Sequence, residues 1–375
     1  MKSRRDVIYP RTVHWLRNSA WMLCALAFFS VSVSQTAQAG KDWYPVKVEV
    51  WKPPFNDLHQ REQKIYTPLD RAQKKWRIRV FIPHLKDAYW LGVNYGLIRE
   101  ARRLGVSLAI YEAGGYDRLE VQRRQIEEVL SDKPDGLVIG AISLDGLNDI
   151  VKKSADKGIP VLDLINGISS PHISARVAVS FRDMGYRAGT YLRRLQEEKG
   201  KPMKVAWFPG PEGAGWVAAG DAGFRKAIGG GAIKIVDSQY GDTGSAVQAR
   251  LVEAALGRYA DDLDCIAGTA VTAEAAIKIL RRRTLADRIK IISYYFSPGM
   301  QRGIRRGDIL AAPSDLPVIQ ARIAVDVLVR ILEKKDFDKH VAPRIVVVDR
   351  NNIRSWDSST TLAPRGFRPI FSINE

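Results

Sequence analysis

Trp76-Arg77-Ile78-Arg79-Val80-Phe81-Ile82 is a short run rich in β-branched and aromatic residues, and a helical pattern follows it over 89–104. Runs of this composition favour strands. The alternation of strand and helix then continues along the chain, and it decides the fold class. Further strands are predicted over 107–112, 136–140 and 161–165, and further helices over 119–130 and 144–157. Strands that alternate with helices indicate an α/β protein with a parallel sheet covered on both faces.

The same alternation restarts after Ala178, which indicates a second lobe of the same build. The pattern there predicts helices over 184–199, 218–228 and 244–258, and strands over 204–208, 233–238, 265–268 and 290–295. A helix over 317–333 would return to the first lobe, and a strand over 344–348 would cross again. Several crossovers between two lobes form a hinge. We therefore predict two doubly wound parallel-sheet lobes joined by a multi-crossover hinge.

The predicted domain boundaries follow from this alternation. Lobe 1 is expected to comprise 76–177 and 315–340, and lobe 2 to comprise 178–314 and 341–375. Residues 40–75 contain four prolines and are expected to form an irregular N-terminal arm on the first lobe.

The amino terminus has the pattern of a secretory signal peptide. Five basic residues precede an apolar run over 20–33, and the small-x-small sequence Ala37-Gln38-Ala39 follows. The run is shorter than the roughly 20 residues of a membrane span. We predict that residues 1–39 are a signal peptide and that the mature chain is periplasmic and does not span the membrane. A retained N-terminal anchor stays open as an alternative, and so does twin-arginine export directed by Ser3-Arg4-Arg5.

The composition limits which functions the mature chain can have. Its more than 300 residues can bury a large core, and Cys265 is its only cysteine, so an intrachain disulfide is impossible. The formal net charge of +17 becomes +13 when five bases and one acid leave with the signal peptide. The basic residues are scattered through the predicted helices, so we interpret them as solvated faces that favour an acidic envelope or partner surface, not as a nucleic-acid site.

Motifs of catalysis are absent from the sequence. The histidines that follow the signal peptide show no metal-ligand spacing, and the glycine-rich loop 210–215 lacks the Lys-Ser/Thr pair of a P-loop. No Gly-x-Ser-x-Gly elbow occurs. We therefore predict a protein that is not an enzyme and that uses no cofactor and no metal.

Aromatic residues beside carboxylates recur where the predicted strands end, which is where open α/β sheets bind ligands. A single aromatic residue beside a loop is more often part of the core or the rim, but its recurrence at the cleft favours a binding site. The candidates are Asp87, Tyr89, Trp90, Tyr116, Phe181, Trp216, Tyr295 and Asp315. Aromatic faces attract cations, with about 2 kcal/mol for a desolvated contact, so a methylated, positively charged nitrogen would suit this set.

An ordered set of short motifs from about Arg77 to the carboxyl end resembles the TorT family of periplasmic binding proteins. The motifs are Leu85-Lys86-Asp87-Ala88-Tyr89-Trp90, Asn94-Tyr95-Gly96, Glu112-Ala113-Gly114-Gly115-Tyr116, Pro209-Gly210-Pro211, Gly268-Thr269-Ala270 and Gly366-Phe367-Arg368-Pro369. The chain is more distantly similar to ribose-type binding proteins and LacI-type regulators. The resemblance implies a type I periplasmic-binding-protein fold. It also implies binding of trimethylamine N-oxide and signalling to the periplasmic domain of a TorS-like sensor histidine kinase in a two-component system.

The resemblance further implies a ligand cage at the matched positions, which are Asp87, Tyr89, Trp90, Tyr116 and Tyr295. Two positions depart from the family. Phe181 stands where the family has Trp, and the loop that carries Trp216 is small and polar in a relative. The implied ligand is therefore trimethylamine N-oxide or a related methylamine. The alternative function is delivery of a sugar or another small solute to an ABC transporter, and a secreted enzyme is a third hypothesis that no motif supports.

Overall fold

The structure is a computed structural model that describes residues 43–56 and 60–373. The predicted signal peptide lies outside the described residues. None of the helices in the described part of the chain combines the length and apolar character that a membrane crossing needs.

The strands and helices alternate along most of the chain. The strands are β1 Val46–Trp51, β2 Arg61–Tyr66, β3 Arg77–Ile82, β4 Ser107–Glu112, β5 Gly136–Ile139, β6 Val161–Leu164, β7 Ala175–Val177, β8 Met203–Gly210, β9 Ile233–Tyr240, β10 Cys265–Gly268, β11 Lys290–Ser293, β12 Ala311–Ser314, β13 Val341–Pro343, β14 Val346–Asp349 and β15 Ser372–Ile373. The helices are α1 Ala88–Leu104, α2 Leu119–Ser131, α3 Asn148–Asp156, α4 Phe181–Lys199, α5 Gly215–Ile228, α6 Ser245–Tyr259, α7 Ala270–Arg282, α8 Pro298–Arg306 and α9 Pro317–Leu332.

The first sheet has six strands in the order β15-β4-β3-β5-β6-β7. All neighbours are parallel except β15, which runs antiparallel to β4. Every residue of β5 and β6 is buried, which explains why these strands are nearly continuous apolar runs and not alternating ones.

The second sheet has four parallel strands in the order β11-β10-β8-β9. Cys265 begins β10 and is a buried free cysteine, and burial raises the pKa of its thiol. The two sheets, each covered by helices, confirm the predicted α/β class with parallel sheets.

Three segments pass between the two sheets. The chain leaves the first sheet after β7, returns after β12 through α9, and crosses again to β14, which pairs antiparallel with β12. Helix α9 packs so closely on α1 that a Cβ atom at Gly96 would lie only 2.4 Å from the Val318 carbonyl oxygen. Glycine at this position permits the close approach.

The segment expected to be an irregular arm contains a β-hairpin. Strand β1 pairs antiparallel with both β2 and β13. The prediction of an irregular segment was wrong here because Pro45, Pro53, Pro54 and Pro68 lie outside the strands. The alternating sequence Val46–Trp51 between them is typical of a half-buried strand.

The division into two lobes stays a proposal. Its assignment of the carboxyl end to lobe 2 was wrong for the last strand, because Ser372 and Ile373 pair with Ala109 and Leu108 of β4 in the first sheet. Two helices that follow strands of the second sheet, α7 and α8, were not predicted from the sequence.

Candidate functional site

A small cavity lies between the carboxyl ends of the two sheets. Its lining residues are Asp87, Tyr89, Trp90, Tyr116, Ile165, Asn166, Phe181, Trp216, Thr243 and Tyr295. Seven of the predicted candidates are in this lining, and the eighth, Asp315, lies one hydrogen bond away.

Helix α1 places the first group of side chains at the cavity. Asp87 is its N-cap, and the carboxylate accepts a hydrogen bond of 3.0 Å from the Trp90 backbone N–H. Tyr89 and Trp90 therefore lie in the first turn. A Cβ atom at Gly140 would lie 2.7 Å from the Trp90 ring, so glycine at the end of β5 makes the space for this indole.

The second sheet and its helices supply the opposite wall. Tyr295 follows β11, Trp216 lies in the first turn of α5, and Phe181 begins α4. The Trp216 ring centroid lies 5.7 Å from that of Phe181 and 6.1 Å from that of Tyr295. The buried Trp216 Nε1 has no hydrogen-bond partner among the described residues. An indole N–H in this position can donate to a bound ligand.

Aromatic rings meet across the cleft between the sheets. Tyr89 and Tyr295 approach to 5.5 Å at an interplanar angle of 73°, and Tyr116 and Trp216 approach to 5.9 Å at 56°. These edge-to-face and tilted contacts are favourable for aromatic pairs. Because they join residues of both sheets, the structure has a closed cleft.

Two carboxylates give the site negative charge. Burial raises the pKa of Asp87 to about 6, although backbone hydrogen bonds from Trp90 and Tyr89 oppose the shift. Burial also raises the pKa of Asp315 to about 6. Asp315 Oδ2 accepts hydrogen bonds from the Tyr89 hydroxyl at 2.6 Å and from Gln320 Nε2 at 2.7 Å. Asp315 therefore holds the Tyr89 ring from the hinge and does not line the cavity.

Polar groups also join the two sides of the cleft. His84 Nε2 lies 3.1 Å from Thr243 Oγ1, and both residues are buried. Burial, with help from the charge of Lys86, lowers the pKa of His84 to about 3, so the imidazole is neutral. Lys86 Nζ donates to Asp242 Oδ2 at 2.5 Å near the surface.

Three lining residues were not predicted from the sequence: Ile165, Asn166 and Thr243. Asn166 Nδ2 donates to the Tyr116 hydroxyl at 3.0 Å and to the Ala141 carbonyl oxygen at 2.7 Å. Asn166 fixes the Tyr116 ring in this way. Its position just beyond the carboxyl end of β6 was a signal that could have identified it.

The part of the chain that the structure describes contains no group of three or more His, Cys, Asp or Glu side chains that could hold a metal ion. The cavity lining presents aromatic faces, the Asp87 carboxylate and a few hydrogen-bonding groups, and Asp315 lies one hydrogen bond behind it. This arrangement can bind a small polar or cationic molecule.

The chain is similar in sequence to known proteins. A family model described as the periplasmic binding protein domain matches residues 78–336. The chain is 37% identical to the periplasmic protein TorT of Escherichia coli strain K12 over 317 residues, which are 84% of this chain and 90% of that protein.

Two solved structures are also similar. One is an ABC transporter solute binding protein from Bradyrhizobium sp. BTAi1 with bound Bis-Tris, which is 49% identical and has a TM-score of 0.76. The match covers 88% of this chain and 99% of that protein. The other is a complex of the TorS sensor domain with TorT in the presence of TMAO, in which one chain is 30% identical and has a TM-score of 0.72. The match covers 79% of this chain and 100% of that chain.

Proposed function

The chain belongs to the periplasmic binding protein family, as a relative of TorT, and we propose that it binds a small solute with an alkylated, positively charged nitrogen. We further propose that it reports the bound solute to the periplasmic domain of a TorS-like sensor histidine kinase. Trimethylamine N-oxide and related methylamines are the proposed ligands.

The enclosure of one small cavity by aromatic residues of both sheets carries the proposal. Tyr89, Trp90 and Tyr116 lie on the first-sheet side, and Trp216 and Tyr295 on the second-sheet side. Ring faces attract an alkylated cation by about 2 kcal/mol for each desolvated contact. Asp87 adds a carboxylate that balances the positive charge, and its raised pKa reflects the energetic cost of leaving that charge without a partner.

The unpartnered Trp216 indole supports recognition of a ligand oxygen. Phe181 and Trp216 are in contact, with ring centroids 5.7 Å apart. The resemblance implies a Trp at 181 in the family, so here the neighbouring position 216 would supply the indole instead. An N-oxide or hydroxyl oxygen could accept a hydrogen bond from it.

The relatives support the same class of ligand. The relatives have TMAO present in one solved structure and Bis-Tris bound in the other. Bis-Tris is a tertiary amine that carries several hydroxyl groups, so both compounds have a nitrogen substituted with three carbon groups.

Signalling would follow from closure of the cleft. A ligand that contacts both sides stabilises the closed state by its differential affinity for that state. A partner that contacts both lobes would then detect the bound solute. The TorS–TorT complex among the similar structures supports a sensor domain as this partner.

Isothermal titration calorimetry of the mature chain tests the ligand class, with trimethylamine N-oxide, betaine, choline, Bis-Tris and ribose as the panel. We expect one or more alkylated amines to bind and ribose to give no heat. Binding of ribose alone would overturn the proposal. Sedimentation of the chain with the TorS sensor domain, with and without the best ligand, tests the partner.

Delivery of the same solute to an ABC transporter is the second candidate function. The 49% identity to the Bradyrhizobium solute binding protein favours it. The two functions share the ligand and differ in the partner. Uptake of labelled ligand that depends on this chain, together with no binding to the sensor domain, would establish transport and exclude signalling.

A further inference from the structure

A segment near the carboxyl terminus crosses both sides of the cleft. We call residues 350–371 the C-terminal strap, because they connect β14 to β15. Trp356 packs on Phe296 at 4.5 Å, after β11 of the second sheet. The Thr361 and Ser314 hydroxyls share a hydrogen bond of 2.7 Å at the hinge. Phe367 packs on Tyr95 of α1 at 5.2 Å.

The strap, α1 and α8 border an open groove of about 790 Å³. Its lining residues are Ala88, Leu91, Tyr95, Pro298, Gln301, Arg302, Ser358, Ser359, Leu362, Ala363, Pro364, Arg365, Gly366 and Phe367. Most of this surface is apolar, and no carboxylate belongs to the lining. Arg302 and Arg365 are its charged groups.

Six exposed arginines lie on α8 and on the strap, and we call them the arginine patch: Arg302, Arg305, Arg306, Arg350, Arg354 and Arg365. Arg305, Arg350 and Arg354 line a second opening beside α8. Within 43–56 and 60–373 none of the six forms an ion pair. By contrast, Arg281 and Arg282 at the end of α7, and Arg283 just after it, are all paired with carboxylates. The patch therefore presents positive charge that the described residues do not neutralise.

We infer that this groove is a docking site for an acidic amphipathic helix of a partner protein. An apolar groove takes the apolar face of such a helix, and flanking arginines attract its acidic residues and set its orientation. Leu362 in the lining is buried, so a flat membrane surface would reach the exposed arginines but not this apolar side chain. The inference rests on the proposed function and adds the surface and chemistry of the partner.

The groove is also connected to the ligand cavity. Helix α8 begins three residues after Tyr295, and its N-cap Ser297 donates to Glu274 at 2.6 Å. Ala88, in contrast, follows the cavity residue Asp87 on α1. One wall of the groove thus belongs to each side of the cleft, so closure changes the groove width. A helix would dock more tightly at one groove width than at the other. Helix docking and ligand binding would therefore change each other's affinity.

Fluorescence anisotropy with a labelled synthetic peptide tests the inference. The peptide has Leu and Phe at helical i, i+3 and i+4 spacing and Glu at the exposed positions, and a scrambled peptide has the same composition. We expect the patterned peptide to bind the chain and Arg302→Ala/Arg365→Ala to weaken binding at least tenfold. The matched control Arg187→Ala/Arg194→Ala removes two exposed arginines of α4 and should leave peptide affinity unchanged.

Three results would overturn the inference: no binding of the patterned peptide, equal binding of the scrambled peptide, or equal losses in the two double variants. Vesicles of phosphatidylglycerol and phosphatidylcholine form a further arm. If the chain binds the vesicles through Arg302 and Arg365 but does not bind the peptide, the surface is a membrane contact and the inference fails. Calorimetry keeps the two proposals separate, because Arg302→Ala/Arg365→Ala should bind the small solute as wild type does. A failure of the solute panel counts against the proposed function alone.

Discussion

Trp216 combines a buried indole N–H without a partner and a position in the cavity lining. If this N–H donates to a ligand oxygen, Trp216→Phe keeps an aromatic ring and removes only the donor. A hydrogen bond contributes about 0.5–1.5 kcal/mol, so we expect trimethylamine N-oxide to bind about threefold to tenfold more weakly. Calorimetry measures this loss. Trp356→Phe, which changes a Trp outside the cavity lining, should bind as wild type, and an unchanged affinity of Trp216→Phe would exclude the donor role.

Asp87 has two roles that substitution can separate. Asn caps a helix about as well as Asp, so Asp87→Asn keeps the start of α1 and removes the charge. Because burial raises the pKa of Asp87 to about 6, the wild-type carboxylate is ionised at pH 7 and mostly protonated at pH 5. We expect wild-type affinity for choline, whose charge does not titrate, to fall about tenfold from pH 7 to pH 5.

Asp87→Asn should bind choline weakly at both pH values, with much less dependence on pH. Asp315 titrates over the same range, but it contacts Tyr89 and does not line the cavity, so its residual effect should be smaller. Calorimetry at pH 5, 6 and 7 gives both profiles. An identical pH profile in the variant would show that the Asp87 charge does not contact the ligand.

At the scale of secondary-structure elements, helices α4 and α5 pack through glycines. A Cβ atom at Gly223 would lie 1.8 Å from the Arg182 carbonyl oxygen, so Gly223→Ala must displace the first turn of α4. That turn carries the cavity residue Phe181. We expect the variant to lose about 1–3 kcal/mol of unfolding free energy and to bind ligand more weakly. Urea unfolding and calorimetry measure the two effects.

Gly257→Ala on α6 is the control for this change. Nothing lies within 4 Å of a Cβ atom at Gly257, and alanine is the better helix former by about 1 kcal/mol. The control should therefore be slightly more stable and should bind ligand as wild type does. Equal behaviour of the two variants would contradict close packing of α4 on α5.

Asp315 lies between β12 and α9, where the chain crosses the hinge. Its folded pKa of about 6 exceeds the ordinary value of 3.8, so burial of the charge destabilises the folded state. This penalty is complete above pH 6 and disappears as the pH falls towards about 4. We expect Asp315→Asn to raise the melting temperature at pH 7 and to raise it less at pH 4.5. A pH-independent difference would show that hydrogen bonding, and not charge, controls stability here.

Strands and helices that a local sequence pattern specifies were the easiest to predict. Buried strands such as Ser107–Glu112 and Cys265–Gly268 were predicted with the observed bounds, because continuous β-branched or apolar runs specify them. Helix α8 was missed because its glycines and its proline are weak helix formers, and capping by Ser297 and packing against neighbours hold it. Strand β1 was missed because flanking prolines obscured a short alternating pattern.

The lining of the cavity was predictable where residues were both aromatic and placed at strand ends. Tyr89, Trp90 and Tyr295 met both conditions. Asn166 and Thr243 are single polar residues in loops, so residue type did not mark them, although Asn166 does lie just beyond the carboxyl end of β6. The location of the site thus follows from topology, but its polar contacts depend on how the cleft closes.

At the scale of the whole molecule, contacts across the cleft differ in their expected contributions. The Lys86–Asp242 pair is partly exposed, with 35% and 20% of the side chains accessible, so it should contribute little, about 0–1 kcal/mol. The His84–Thr243 hydrogen bond is buried, so loss of one partner in the closed state would leave the other unsatisfied. The buried bond should therefore control closure more strongly than the ion pair does.

Closure can be measured with Thr243→Val, which removes the hydroxyl and keeps the shape of the side chain. An unsatisfied His84 costs about 1–3 kcal/mol in the closed state, so we expect roughly tenfold more ligand to be needed for the same compaction. Small-angle X-ray scattering across a ligand titration follows the radius of gyration.

Thr243 lines the cavity, so loss of a direct contact with the ligand would have the same effect as loss of the bond to His84. The variant His84→Phe separates the two explanations, because His84 is outside the lining. If the buried bond controls closure, each single variant should lose a similar amount and the double variant should lose less than either, because it leaves neither partner unsatisfied. Additive losses, or compaction of His84→Phe at the wild-type ligand concentration, would assign the effect of Thr243 to the ligand and remove the bond from the mechanism of closure.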